Sequence, residues 1–69
     1  MTELEVTPAL LTADEAGRLL NLPPRWLLRE ARANRVPHVR FGRYVRFDQD
    51  ELHRWWRARI QGPASSTLA

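Results

Sequence analysis

Hydrophobic positions first recur at helical spacing between residues 13 and 20. A capping box of Thr12 and Glu15 opens this stretch, and the spacing predicts a first helix from about Ala13 to Leu20. Asn21 tolerates the left-handed conformation that ends a helix, and Gly17 allows the helix to approach another element closely. The core-facing positions of this helix are expected to be Ala16, Leu19 and Leu20.

A second helical stretch is predicted from about Pro24 to Ala33. Pro23 is pushed to an extended conformation by the proline after it, and Pro24 suits the first helical position, where its missing N–H is not needed. Asn34 is a second helix-ending residue. Leu27 and Ala31 lie on one side of this helix. The opposite side carries a stripe of three arginines, namely Arg25, Arg29 and Arg32. The two helices have the spacing of a helix-turn-helix.

The apolar period changes to two between residues 39 and 47. Apolar residues alternate with Arg40 before Gly42 and with Arg46 after it, which is typical of a two-stranded hairpin. Four apolar side chains are expected to pack inward against the helices: Val39, Phe41, Val45 and Phe47. Arg40 and Arg46 are expected to point outward, and Arg43 lies at the tip of the hairpin.

A third helix is predicted from about Gln49 to Ile60, with Asp48 as its N-cap and Gly62 beyond its end. Its core-facing stripe is expected to be Leu52, Trp55, Trp56 and Ile60. The sequence therefore predicts a mostly helical α+β fold, a winged helix-turn-helix of three helices and a two-stranded wing. This domain would span residues 10–60, between a flexible acidic arm at 1–9 and a disordered tail at 61–69.

Charge is distributed unevenly along the 69-residue chain, which carries a net charge of +3. All 11 basic residues are arginines, and eight of them lie between residues 18 and 47, where Glu30 is the single acid. Clustered positive charge is typical of a polyanion-binding surface. Only Glu30 is near enough to neutralise the arginine stripe of the second helix. A phosphate or guanine partner therefore offsets the repulsion among these arginines better than a solvated surface does.

The composition argues against several other functions. There is no cysteine, and hence no disulfide or thiolate zinc site. No membrane span or signal peptide is visible, so a cytoplasmic protein with no membrane partner is expected. His38 and His53 lack metal-ligand spacing, and the tail residues Ser65 and Ser66 have nothing to activate them. We therefore expect no enzymatic activity, no metal and no cofactor.

A winged helix-turn-helix with this charge pattern is expected to bind duplex DNA. The second helix of such a domain enters the major groove, where arginine reads guanine with two hydrogen bonds. The wing lies over the backbone and can place Arg43 in a narrow minor groove. RNA binding is less favoured, because the aromatic side chains are expected in the core and leave no stacking platform.

Three segments resemble one known family. They are residues 10–20 (LLTADEAGRLL), 35–47 (RVPHVRFGRYVRF) and 52–56 (LHRWW), and they resemble the excisionase family of MerR-like winged-helix DNA-binding proteins. The family includes recombination directionality factors and AlpA-like transcriptional regulators. The resemblance implies a small protein that bends DNA and assists a tyrosine integrase in excising a phage or integrative element. It implies DNA contacts by Arg25, Arg29 and Arg43, with Arg40 and Arg46 at the family's basic strand positions.

The chain departs from the family pattern at Asn21, Pro23 and Trp26. The first two change how the turn is made, whereas Trp26 replaces a small hydroxyl residue and either packs against the third helix or contacts the sugar-phosphate backbone. Two alternative functions stay open, a transcriptional regulator on the same scaffold and a protein-interaction module that binds no DNA. The acidic start and the arginine-rich middle favour a monomer that associates head-to-tail with its neighbours on DNA.

Overall fold

The structure is a computed structural model that describes residues 9–63. It contains three helices, α1 (Ala13–Leu20), α2 (Pro24–Arg32) and α3 (Gln49–Arg57), and an antiparallel hairpin of β1 (Val39–Phe41) and β2 (Tyr44–Arg46). The predicted winged helix-turn-helix is confirmed. Most of the predicted arm, and the tail from residue 64, lie outside the described residues. Among the described helices, none has the length and apolarity needed to cross a membrane.

The first helix begins and ends as its sequence predicts. The Glu15 amide donates to the Thr12 hydroxyl at 3.2 Å, and the Thr12 amide donates to the Glu15 carboxylate at 2.9 Å. These two bonds satisfy two N–H groups that have no partner inside the helix. Asn21 ends α1 in the left-handed conformation, with φ of 59°. The chain can therefore turn at once towards α2.

The turn between α1 and α2 brings two backbones close together at Gly17. The Leu22 amide donates to the Gly17 carbonyl at 2.9 Å. A Cβ atom at Gly17 would lie 2.6 Å from the Leu22 carbonyl oxygen and 3.3 Å from the Pro24 ring. The expected close approach at Gly17 is confirmed, and it sets how α2 leaves α1.

A small core joins the three helices and β2. Its buried members are Ala16, Leu27, Ala31, Val36, Val45, Phe47 and Leu52. Phe47 follows β2, and its backbone forms two hydrogen bonds with Leu11, at 2.7 and 2.8 Å. This bridge ties the end of the hairpin to the residue just before α1. The Asp48 side chain then caps α3 by accepting from the Glu51 amide at 2.9 Å.

The register of the hairpin decides which side chains face the core. The paired residues are Val39 with Arg46, Arg40 with Val45, and Phe41 with Tyr44. Directly opposite residues share a face of a sheet, and faces alternate along each strand. The inner face therefore carries Arg40 opposite Val45, followed by Phe47 one step further along, although the Arg40 side chain stays exposed. The outer face carries Phe41 and Tyr44.

The expectation that Phe41 packs inward is wrong. Phe41 is 54% exposed, whereas Val45 is 5% exposed. The reason is the two-residue turn at Gly42 and Arg43, in which Gly42 has φ of 58°. Only a turn one residue longer would put Phe41 and Val45 on the same face, because a shift of one residue exchanges the two faces. Val39, on the face of Phe41, is half-buried.

Three other residues expected in the core are exposed. They are Leu19 at 52%, Trp56 at 37% and Ile60 at 49%. Ile60 lies beyond the end of α3, which stops at Arg57 rather than running to residue 60. On α3 the neighbouring Trp55 packs against the core instead, and its indole N–H donates to the Arg35 carbonyl at 3.2 Å. Trp56 then lies on the outer edge of the stripe, as Leu19 does on α1.

Substitutions in the core and at the edge of the apolar stripe of α3 should differ in their effect on the free energy of unfolding. Phe47→Ala should lower the free energy of unfolding by about 3–5 kcal/mol, the range for a fully buried large aromatic side chain. Trp56→Ala should cost clearly less, because the Trp56 side chain keeps much of its contact with solvent. Urea denaturation of both variants would measure the difference. A larger loss for Trp56→Ala would contradict the assignment of the core.

Gly17→Ala should destabilise the domain although alanine is the better helix former. The propensity gain is up to about 1 kcal/mol, but the new methyl group would meet the Leu22 carbonyl oxygen at 2.6 Å. We expect a net loss of about 1–3 kcal/mol, as for overpacked sites. The exposed neighbour Arg18 gives the control, since Arg18→Ala should change stability by no more than about 0.5 kcal/mol. A stabilised Gly17→Ala variant would disprove the close contact.

Candidate nucleic-acid interface

Helix α2 separates an apolar side from a basic side, as its sequence predicts. Leu27 is 0% exposed and Ala31 is 1% exposed, and both pack in the core. The three arginines on the opposite side are all exposed: Arg25, Arg29 and Arg32. Pro24 at the first position lets the helix begin directly after the turn. The arginine side of α2 is therefore presented to solvent by the burial of its other side.

Glu30 forms its hydrogen bonds with Arg35, which lies outside the arginine stripe. Its carboxylate accepts two hydrogen bonds from Arg35, at 2.7 and 3.2 Å, and lies 3.9 Å from the Arg29 side chain. Hydrogen bonding to Arg35 lowers the pKa of Glu30, and the positive charges of Arg35 and Arg29 act in the same direction while burial opposes them. The same hydrogen bond raises the pKa of Arg35. Within residues 9–63, Arg25 and Arg32 form no ion pair.

The hairpin adds a second basic element. Arg40 and Arg43 are exposed, as expected from the sequence. The expectation that Arg40 and Arg46 share a face is wrong, because Arg40 lies opposite Val45. Arg46 is half-buried rather than fully outward, because its guanidinium donates to the Val45 carbonyl at 2.9 Å. Between residues 39 and 47 the chain has three arginines and no acid. Positive charge therefore covers the wing as well as the outer side of α2.

Tyr44 organises two of the hairpin arginines. The guanidinium carbon of Arg43 lies 5.4 Å from the centre of the Tyr44 ring, and that of Arg46 lies 5.6 Å from it. Both distances fall within the range of cation–π attraction. The ring therefore holds two cations near the tip of the wing. Sequence reasoning placed the aromatic side chains in the core and missed this surface; the length of the turn was the signal that could have revealed it.

The remaining candidate residues, two histidines and Trp26, make contacts with other residues of the domain. The Nδ1 atom of His38 lies 2.8 Å from the Val36 carbonyl, and the ring of His53 meets Trp56 edge-on at 5.0 Å. No cluster of potential metal ligands occurs in the part of the chain that the structure describes. Trp26, which departs from the family pattern, is half-buried and packs against the core. This packing favours a structural role for Trp26.

The fold and its basic surfaces define a winged helix-turn-helix. A family model described as a helix-turn-helix domain matches residues 10–60 of this chain. The match covers most of the 69 residues, and the chain belongs to this family. It is a helix-turn-helix protein of a DNA-binding family, a class that is typically not enzymatic. No curated protein and no solved structure shows significant similarity to the chain.

The Glu30–Arg35 pair should make stability depend on pH in the acid range. Because the folded pKa of Glu30 is lowered, its contribution is complete above the ordinary glutamate pKa of about 4.3 and is lost as pH falls through the lower folded value. Wild type should therefore be more stable than Glu30→Gln at neutral pH, and the difference should shrink at about pH 3. Urea denaturation at both pH values tests this. A difference that does not depend on pH would contradict the ion pair.

Proposed function

We propose that this chain is an excisionase, a recombination directionality factor. It binds a specific duplex, bends it and assists a tyrosine integrase in excising a phage or integrative element. The observation that carries the proposal is the hairpin sequence of residues 35–47, followed by an acid-capped helix with paired tryptophans, which resembles that family. Its helix-turn-helix membership supports the DNA-binding part of the proposal.

The proposed DNA-binding residues lie on two exposed elements. They are Arg25, Arg29 and Arg32 on α2, and Arg40, Arg43 and Arg46 on the hairpin. In this proposal α2 enters the major groove, which is about 12 Å wide and admits one helix. Since Glu30 is bonded to Arg35, the stripe keeps most of its positive charge for DNA. Arg43 at the wing tip enters the adjacent minor groove, where a narrow groove strengthens the negative potential.

Neighbouring copies associate head-to-tail on DNA in this proposal. The first 17 residues carry four acids and no base, whereas residues 18–47 carry eight arginines. The acidic start of one copy would meet the basic middle of the next on directly repeated sites. Such an electrostatic contact is weak without DNA, because salt screens it over about 8 Å at physiological ionic strength.

Arginine substitutions on α2 should separate base reading from simple charge attraction. The probe is a duplex that the wild-type protein selects from a random-sequence pool. Arg25→Ala or Arg29→Ala should weaken binding to it by about 1–3 kcal/mol, the range for a lost two-bond contact with guanine. The loss should be smaller on an unselected duplex of equal length. Fluorescence anisotropy titrations give both values.

Arg54→Ala is the matched control for this experiment. Arg54 is an exposed arginine on α3 that forms an ion pair with Glu51, so its loss removes the same charge outside the proposed interface. It should leave binding to the selected duplex nearly unchanged. Equal losses on selected and unselected DNA for the α2 variants would mean that these arginines contact phosphates only.

Deleting the gene for this chain tests the excisionase role itself. Excision of the element that encodes it should fall sharply, and the wild-type gene should restore it while the Arg25→Ala gene does not. If excision is unchanged and only transcription of neighbouring genes responds, the chain is a regulator on the same scaffold. If the wild-type protein selects no duplex at all, a protein-interaction module becomes the better account.

A further inference from the structure

The outer face of the hairpin carries two exposed aromatic side chains at its tip. Phe41 is 54% exposed and Tyr44 is 52% exposed, and the register places them directly opposite each other. Large aromatic side chains are costly to leave in water, and full burial of such a side chain stabilises a protein substantially. Two of them side by side on a short hairpin therefore point to a surface that is covered when a partner binds.

The two rings differ in their contacts with other side chains of the domain. Tyr44 has guanidinium groups 5.4 and 5.6 Å from its ring centre. Phe41 has no aromatic or cation–π partner among residues 9–63. Gly42 follows it directly, so the ring borders the turn at the end of the wing. Phe41 is thus the exposed ring of the hairpin that has no such partner among the described residues.

Charge identifies the partner of this surface. Arg43 in the turn and Arg46 on the same face lie beside the aromatic pair, and no acid lies between residues 39 and 47. An apolar protein groove would have to strip water from these two guanidinium groups, which is expensive without paired anions. A nucleic acid provides phosphates for the arginines and flat bases for the ring. It satisfies both parts of the surface at once.

We propose that Phe41 is a wedge that enters the minor groove and partly unstacks one base step of duplex DNA, and so produces the bend. This inference rests on the proposed function, because it assigns a residue to the bending step. Apolar side chains inserted between base steps kink DNA towards the major groove, and the unstacking is offset by the protein surface that the bend brings into contact. Arg43 and Arg46, which lie on the Phe41 side of the hairpin, hold the flanking phosphates.

The experiment uses the full chain and the selected duplex, with 2-aminopurine replacing one adenine at a time. Wild-type protein should raise the fluorescence of 2-aminopurine at one step and should bend the duplex, as measured by energy transfer between its ends. Phe41→Ala should lose both signals, and its Kd should rise roughly tenfold, towards the lower end of the range for a lost base–aromatic contact. Phe41→Leu keeps an apolar wedge and should retain most of both signals.

Leu19→Ala is the matched control. Leu19 is as exposed as Phe41 but lies on α1, so its loss should change neither signal. Thermal unfolding should be nearly the same for all these variants and the wild type, because the replaced side chains are largely outside the core. Loss of both signals in Phe41→Ala alone would support the wedge.

Three results would overturn the wedge. One is a Phe41→Ala protein that bends and unstacks the duplex like the wild type. Another is a wild-type protein that binds the selected duplex without any bend or fluorescence change. The third is a wild-type protein that binds single-stranded DNA more tightly than duplex and loses this preference in Phe41→Ala, which would make the surface a stacking platform. In each of these three results the protein still binds DNA, so only the wedge is refuted. Selection of no duplex would refute the proposed function itself.

Discussion

Burial of Phe47 is the constraint on which the arrangement of this small domain depends. The side chain is fully buried, and its backbone pairs with Leu11 just before α1. Since faces alternate along a strand, an inward Phe47 requires an inward Val45 and an outward Tyr44. The two-residue turn then places Phe41 opposite Tyr44, on the outer face. One core contact and one tight turn thus determine what the wing presents to solvent.

A small number of contacts likewise determines the placement of α2. A core of seven buried residues uses only one side of this helix, and the close approach at Gly17 sets its direction. The other side is left to three arginines that repel one another, and the nearest acid is engaged by Arg35. This arrangement sacrifices some helix stability to keep positive charge exposed. Such a surface gains most when phosphates approach it, which is consistent with membership of a DNA-binding family.

Local rules were sufficient for most of the fold. The capping box at Thr12, the left-handed Asn21 and the N-cap Asp48 depend on neighbours in sequence, and each was predicted. The failures at Phe41 and Trp56 have another origin. Phe41 depended on whether the turn holds two residues or three, which period-two alternation alone does not reveal. Trp56 depended on which of two adjacent tryptophans reaches the Arg35 carbonyl, a contact across 20 residues of chain.

The candidate site, like the fold, was predictable only where it depends on neighbours in sequence. The arginine stripe on α2 follows from helical geometry, and its exposure follows from the burial of Leu27 and Ala31. The pairing of Glu30 with Arg35 was not predicted from the sequence. The chain leaves α2 after Arg32, and the Arg35 side chain reaches back to Glu30 on that helix. The aromatic outer face of the wing was missed because it depends on the hairpin register. Tertiary contacts, rather than residue types, decided both.

The most direct test of the account is to map the surface that duplex DNA covers. Amide resonances of the ¹⁵N-labelled chain can be followed by NMR during titration with the selected duplex. The account predicts that the largest changes fall on α2 and on the hairpin from Val39 to Arg46, with little change at Leu19 and Trp56. Changes concentrated instead on the outer sides of α1 and α3, with α2 and the hairpin unaffected, would contradict it.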